Sequence, residues 1–385
     1  MSAIVRAGVF YDGTLEAPRY NVDVLIDSGV ITEIRDASGA FDREAACVTP
    51  GLVNAHAHLE MSGEADTMGG LARMTPSQRL LRAVENARKS LRAGVTTVRD
   101  LGASNNIAID VRDAVNERRI PGPRISAAGN ILCMTGGHGW WVGRAVDSPW
   151  DARKGVREQR LAGADCIKLI ATGGVLTKGA VPGLAQLTED EMTAACTEAH
   201  RHGMRVAAHA IGTQGIKDAL RSGIDSVEHG HMLDDEAIAL LKERNAYLVP
   251  TLAAPTCILE HAEHGSQPDF VVRKAHELEE HMVRNIRRAF EAGVKIAGGS
   301  DAGTPFNYHE RYADEVLLMQ RLLGMTAKQA LHAATSVSAE LIGLHRGILA
   351  AGEPADLLLL DQDISSDLSA LSRPIAVIKN GDWIS

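Results

Sequence analysis

The sequence predicts an α/β protein, a (β/α)8 barrel that carries a small β-sandwich built from both ends of the chain. Three observations predict it. Short apolar runs alternate with helical patterns through the middle of the chain, several runs are announced by a Gly just past a helix, and both termini are rich in strand-like alternation. With 385 residues, 45% hydrophobic and 23% charged, the chain can bury a large core, and its length suits one big domain plus a smaller one.

At the N-terminal end, residues 22–27, a Ser28-Gly29 turn and residues 30–35 read as a β-hairpin. Residues 355–361 and 375–381 repeat the pattern at the other end. Two β-rich ends around a long α/β middle imply that the termini pair in space. The expected division is residues 1–49 and 346–385 for the composite sandwich and 50–345 for the barrel.

Eight apolar runs fill the middle, at residues 52–55, 95–98, 124–127, 166–170, 206–208, 226–228, 247–249 and 294–297. Gly94, Gly163, Gly223 and Gly293 each stand where a helix should stop and a strand begin, because Gly supplies the left-handed cap that turns the chain back. Eight such units fit a barrel better than an open dinucleotide-binding sheet, and no Gly-x-Gly-x-x-Gly follows the first run. The long, mixed segment 250–281 is expected to be a helical excursion over the barrel mouth.

Composition excludes several classes. A formal charge of -9 and the lack of a Lys/Arg cluster argue against a nucleic-acid partner. Without a basic segment leading into an apolar one at the N-terminus, and without eighteen consecutive apolar residues, an unexported, cytoplasmic protein with no membrane partner is expected. Cys47, Cys133, Cys166, Cys196 and Cys257 form no Cys-x-x-Cys pair, which suits a reducing compartment, and Cys166 reads as a buried thiol.

Chemistry concentrates where a barrel would gather it, at the C-terminal ends of the strands. His56 and His58 alternate on one strand face as a metal-binding pincer, although two polar residues at a strand end would look the same. Lys168 lies inside the fourth run; His209 ends the fifth, His229 the sixth, and Asp301 follows the eighth. Imidazole and carboxylate suit zinc and its first-row neighbours, and the set is too large for one tetrahedral ion, so two divalent metals fit better. A lysine there is either a side chain snorkelling to the rim or, neutralised by burial, an amine that takes up CO2 to become a carbamate bridging both metals.

These residues and their spacing resemble the amidohydrolase superfamily, whose pattern is His-x-His, Lys, His, His and Asp on a distorted (β/α)8 TIM barrel. Residues 50–58 match its entry motif; residues 325–335 followed by 352–357 match its closing signature. The resemblance implies that His56, His58 and Asp301 hold the more buried metal, His209 and His229 the other, and carboxylated Lys168 the bridge.

Gly212 stands three residues after His209, where mononuclear aminohydrolases of the family usually carry an acid. Together with Lys168, that favours a binuclear hydrolase of amide bonds. The glycine-rich stretch from Thr135 to Gly139 carries His138, and with the loop from Ala171 to Val175 it resembles the imidazolonepropionase-like branch containing Xaa-Pro dipeptidases (prolidases) and Xaa-Arg/Lys carboxypeptidases. The implied enzyme is a homo-oligomeric dipeptidase or carboxypeptidase acting on a small-molecule substrate, a dipeptide or N-acyl amino acid. Asp301 would move the proton, His138 would hydrogen-bond to the substrate carbonyl, and His231 either contacts a substrate carboxylate or faces solvent. Trp140 and Trp141 either wall the pocket or pack beneath the loop. Two readings compete: hydrolysis of cyclic amides, lactones or xenobiotic N-acyl compounds by the same centre, and a non-catalytic metal-binding barrel, which Asp301 as a base counts against.

Overall fold

The computed structural model describes residues 2–262 and 267–384. The N-terminal strands are β1 (Ala3–Phe10), β2 (Arg19–Asp27), β3 (Val30–Asp36) and β4 (Arg43–Pro50). Barrel strands β5 (Leu52–Ala57), β6 (Val95–Asp100) and β7 (Arg124–Ala127) follow, then two short strands, β8 (Ile131–Cys133) and β9 (Gly143–Ala145). The barrel continues with β10 (Cys166–Ile170), β11 (Arg205–Ala210), β12 (Ser226–His229), β13 (Tyr247–Val249) and β14 (Lys295–Ile296). The chain closes with β15 (Leu357–Leu360), β16 (Ala376–Lys379) and β17 (Asp382–Trp383).

The two chain ends do meet, but as one seven-stranded sheet, in the order β17-β16-β15-β4-β1-β2-β3, rather than as two sheets facing each other. The seam is β15 against β4, antiparallel, with Leu357 opposite Pro50 and Leu359 opposite Val48. The sheet curls until its edge strand reaches the far side: the Ile31 N–H donates to the Glu353 carbonyl at 2.9 Å, and the Gly352 N–H to the Ile31 carbonyl at 2.8 Å. Val5, Ala7, Val24, Ile31, Val48, Leu357 and Ile378 fill the concave side. Alternation in the sequence marks one buried face per strand. A curled single sheet and a sandwich satisfy it equally, and the strand pairing gives one sheet without confirming the expected sandwich.

All eight expected barrel strands form, yet their ladder is not closed. β5, β6 and β7 make a three-stranded parallel sheet; the others make a second sheet in the order β14-β13-β12-β11-β10-β8-β9. The break lies between β7 and β10. After β7 the chain turns through Gly129, at φ 67°, and β8 pairs with β10 in place of β7, with Leu132 opposite Leu169. Across the gap the Asp165 N–H still reaches the Ala127 carbonyl at 2.8 Å. At the other seam the segment after β14 meets β5 through single bonds: the Ala55 N–H to the Gly298 carbonyl at 2.9 Å and the Asp301 N–H to the His56 carbonyl at 2.8 Å. Gly299 permits that approach, since a Cβ there would lie 2.8 Å from the His56 nitrogen.

The four helix-stop glycines behave as expected, Gly94, Gly163, Gly223 and Gly293 all lying at φ between 82° and 94°. The mixed segment is helical over Ala253–Glu260 and Asp269–Glu291; residues 263–266 lie outside the described residues. Among the described residues no helix is long and apolar enough to cross a membrane, and all five cysteines are free and buried. Burial pushes the Cys166 thiol up to about 11, in keeping with a packing role.

Candidate active site

Parallel pairing delivers the candidate residues to one end of the barrel. Lys168 lies opposite Ala207, Ile170 opposite His209, and Ala210 opposite His229. Two of these residues break strand alternation by adopting left-handed backbone, His229 at φ 75° and Asp301 at φ 58°. Such conformations are costly for residues other than Gly and cluster at functional sites. At His229 the turn lets two consecutive residues serve the same interior, Glu228 beneath the site and His229 in it.

The imidazoles form a contiguous arc. Ring centroids are 5.4 Å apart for His58 and His56, 5.3 Å for His56 and His229, and 4.5 Å for both His229–His209 and His209–His138. Asp301 Oδ1 lies 3.4 Å from His56 Nε2 and 3.2 Å from His58 Nε2. One ligand atom from each of these three residues falls within 4.8 Å of the others, a donor set that can hold a metal ion. Their outer nitrogens are already engaged: His56 Nδ1 lies 2.8 Å from Glu228 Oε2 and His58 Nδ1 lies 3.0 Å from the Gly102 carbonyl. In the same way His229 Nδ1 lies 2.7 Å from Thr251 Oγ1, which leaves Nε2 for the cleft. His209 Nε2 has only a long contact, 3.4 Å, to the Gly173 carbonyl.

The electrostatics suit cations. Burial, reinforced by Lys168, holds His56 down at about 4. Burial and neighbouring imidazoles hold His209 and His229 well below the usual range. His58 goes the other way, because its hydrogen bond to Asp301 and that carboxylate's charge outweigh burial. Burial would raise Asp301, but His56, His58 and Lys168 more than offset it and keep the carboxyl ionised. Burial also brings the Lys168 amine down to about 8, against the attraction of Glu228 and Asp301. The neutral imidazoles of His56, His209 and His229, an anionic carboxylate and a readily neutralised amine are forms that bind metal.

Above the arc opens a cleft. His138 lines it with Nδ1 2.7 Å from Thr177 Oγ1, and burial pushes its imidazole down to about 3. His231 also lines it and does not face solvent: it is buried, and neither ring nitrogen makes a well-formed hydrogen bond. Burial lowers it to about 4, against a contact with the Pro250 backbone and the charge of Asp301. Trp141 walls the cleft, whereas Trp140 is 56% exposed and does not. Met61, Ile131, Val142, Ile170, Val175, Leu176 and Ile258 make the rest of the wall largely apolar.

Sequence reasoning missed the supporting layer. Buried Glu228 accepts from Arg99 Nη2 at 2.8 Å and from Ser226 Oγ at 2.5 Å while it holds His56. The available signal was a charged residue, Glu228, immediately before His229 in the sixth run.

A strand-ended barrel site of histidines, a lysine and an aspartate is the arrangement of a hydrolase, and the family comparison agrees. The chain belongs to the amidohydrolase family, whose profile matches residues 47–384. It is a hydrolase of the class that acts on carbon–nitrogen bonds. The solved structure of a Xaa-Pro dipeptidase with bound methionine in its active site is 32% identical, with a TM-score of 0.92, covering 100% of this chain and 99% of that one. A prolidase complexed with N-methylphosphonate-L-proline is 28% identical, with a TM-score of 0.91 and coverage of 100% and 99%. Ochratoxinase of Aspergillus niger is 29% identical over 360 residues, 85% of this chain and 73% of the relative.

Proposed function

We propose that the chain is a binuclear metal-dependent hydrolase that cleaves the amide bond of dipeptides or N-acyl amino acids. The observation that carries this reading is the approach of Asp301 Oδ1 to both His56 Nε2 and His58 Nε2, beside the paired rings of His209 and His229. In it, His56, His58 and Asp301 would hold one divalent metal and His209 and His229 a second, with Lys168, as a carbamate, contributing to both. That carbamate forms when the neutral Nζ attacks CO2, making an N–C bond and releasing a proton. Two cations, with zinc matching these donors, would supply an activated water at neutral pH and a polarised carbonyl.

The chain's own groups do the rest. Asp301 accepts the water's proton and returns it to the leaving amine. His138 donates a hydrogen bond to the carbonyl oxygen as its charge grows. His231, whose ring nitrogens lack good partners, supplies a donor to the substrate carboxylate. The apolar wall keeps bulk water, other than the attacking molecule, away from the scissile bond.

The wall also bears on the substrate. Among the described residues lining the cleft, Asp301 is the sole carboxylate and no arginine is present. A released Arg or Lys would find no free counter-charge, so an apolar or aromatic residue fits better. A second reading follows from the same wall and from the similarity to ochratoxinase: the acyl group is bulky and non-peptidic, as in a xenobiotic N-acyl amino acid. Profiling kcat/KM over Xaa-Pro dipeptides, N-acyl-phenylalanines, N-acyl-lysines and lactones tests both. Preference for N-acyl-lysines or lactones would defeat them.

A further inference from the structure

Lys274 is a buried cation that makes no ion pair among the described residues. It projects from the helix Asp269–Glu291 and donates to three main-chain carbonyls, those of Thr177 at 2.8 Å, Gly174 at 3.3 Å and Val175 at 3.4 Å. Its exposure is 7%. Burying an ammonium is costly, and a buried ammonium on carbonyls alone fixes those carbonyls in place. The turn it grips has few other main-chain bonds: the Gly173 N–H donates to the Leu184 carbonyl at 2.9 Å and the Gly183 N–H to the Gly173 carbonyl at 3.2 Å at its base, and the Ala180 N–H reaches the Thr177 carbonyl at 3.3 Å at its end.

That turn is what touches His138. Thr177 Oγ1 lies 2.7 Å from His138 Nδ1, and Gly174 packs so closely under the ring that a Cβ there would lie 2.4 Å from Nε2. On the opposite side, Gln186 Oε1 accepts the His138 main-chain N–H at 2.9 Å. A neutral imidazole carries one proton. It can donate from Nε2 only if Nδ1 accepts, and the Thr177 hydroxyl can supply that hydrogen bond.

We propose that Lys274 and Thr177 are positioning residues: Lys274 locks the Gly174–Thr177 turn, and the Thr177 hydroxyl, donating to Nδ1, sets His138 in the tautomer with its proton on Nε2. This rests on the reading of His138 as the group that meets the scissile carbonyl. Neither residue touches the substrate. Their loss therefore falls on the step in which charge develops on the carbonyl oxygen, and on kcat more than KM.

The test combines kinetics with ¹⁵N-histidine NMR on the zinc-loaded enzyme, the His138 signals being assigned by their absence in His138→Gln. Thr177→Val, nearly isosteric, should lower kcat roughly tenfold or more with KM within about twofold, and should shift the His138 nitrogens away from the Nε2-protonated pattern. Thr177→Ser should restore both readouts. Lys274→Met should lower kcat in the same sense while metal content stays at the wild-type level. Wild-type kcat and unchanged His138 signals in Thr177→Val would overturn the proposal, as would a wild-type His138 protonated on Nδ1. The nitrogen signals decide it even if no amide is cleaved, an outcome that would instead defeat the proposed reaction.

Discussion

Glu228 Oε2 stands 2.8 Å from His56 Nδ1, while the other oxygen of the same carboxylate takes the Arg99 guanidinium at 2.8 Å. All three residues are buried inside the barrel. The contact holds the ring so that Nε2 faces Asp301, and it joins residues 172 positions apart.

Glu228→Gln keeps the size but leaves Arg99 without its charge partner. Removing one member of a buried ion pair costs about 3–5 kcal/mol of stability. Loss of a partner that orients a ligand typically weakens metal binding by about 10–100-fold. Urea unfolding of the metal-free protein and zinc competition with a chelating dye should show both effects. Unchanged zinc affinity would mean that His56 needs no orienting partner.

Much of the site was legible because its signals are local. His56 and His58 are two residues apart, and the glycine stops at Gly94, Gly163, Gly223 and Gly293 mark where one unit ends and the next begins. Contacts made across strands left no such trace. Nothing near His56 in the chain points to Glu228, and nothing near His138 points to Thr177 or Lys274. The break between β7 and β10 was hidden for a related reason: residues 131–133 belong to none of the eight expected runs, yet they take the edge of β10.

Lys168→Ala removes the one amine that, among the described residues, lines the candidate metal site. The variant should lose at least one metal per chain, by atomic absorption, together with most of the activity. Full activity with one metal fewer would show that the lysine does not bridge.

Recognition of a substrate carboxylate should be visible in the substrate itself. Converting an N-acyl amino acid to its methyl ester should reduce kcat/KM by roughly a hundredfold, because a donor built to pair the carboxylate is left unmatched. In His231→Ala the acid and ester should converge. An ester turned over as fast as the acid by the wild type would remove His231 from substrate recognition.

Glu315 gives a pH signature away from the arc. Burial pushes its carboxyl up to about 8, against the main-chain N–H groups of Leu252 and Ala253 that donate to it at 2.9 Å and 2.6 Å. The folded state therefore holds a proton that the unfolded chain, with an ordinary carboxyl near 4.5, has released. Stability from this group declines as pH rises from about 4.5 towards 8. Glu315→Gln should thus gain on the wild type across that window by a few kcal/mol, on the order of the linkage. A stability difference that stays flat from pH 5 to pH 9 in urea unfolding would contradict this.

The most direct test of the binuclear hydrolase is a zinc titration of chelator-stripped protein, read as the rate of amino-acid release from an N-acyl-phenylalanine or a dipeptide. Two metals bridged by Lys168 predict that the rate climbs until about two equivalents per chain are bound and then levels. A rate already maximal at one equivalent, or no release from any amide at saturating zinc, would contradict it.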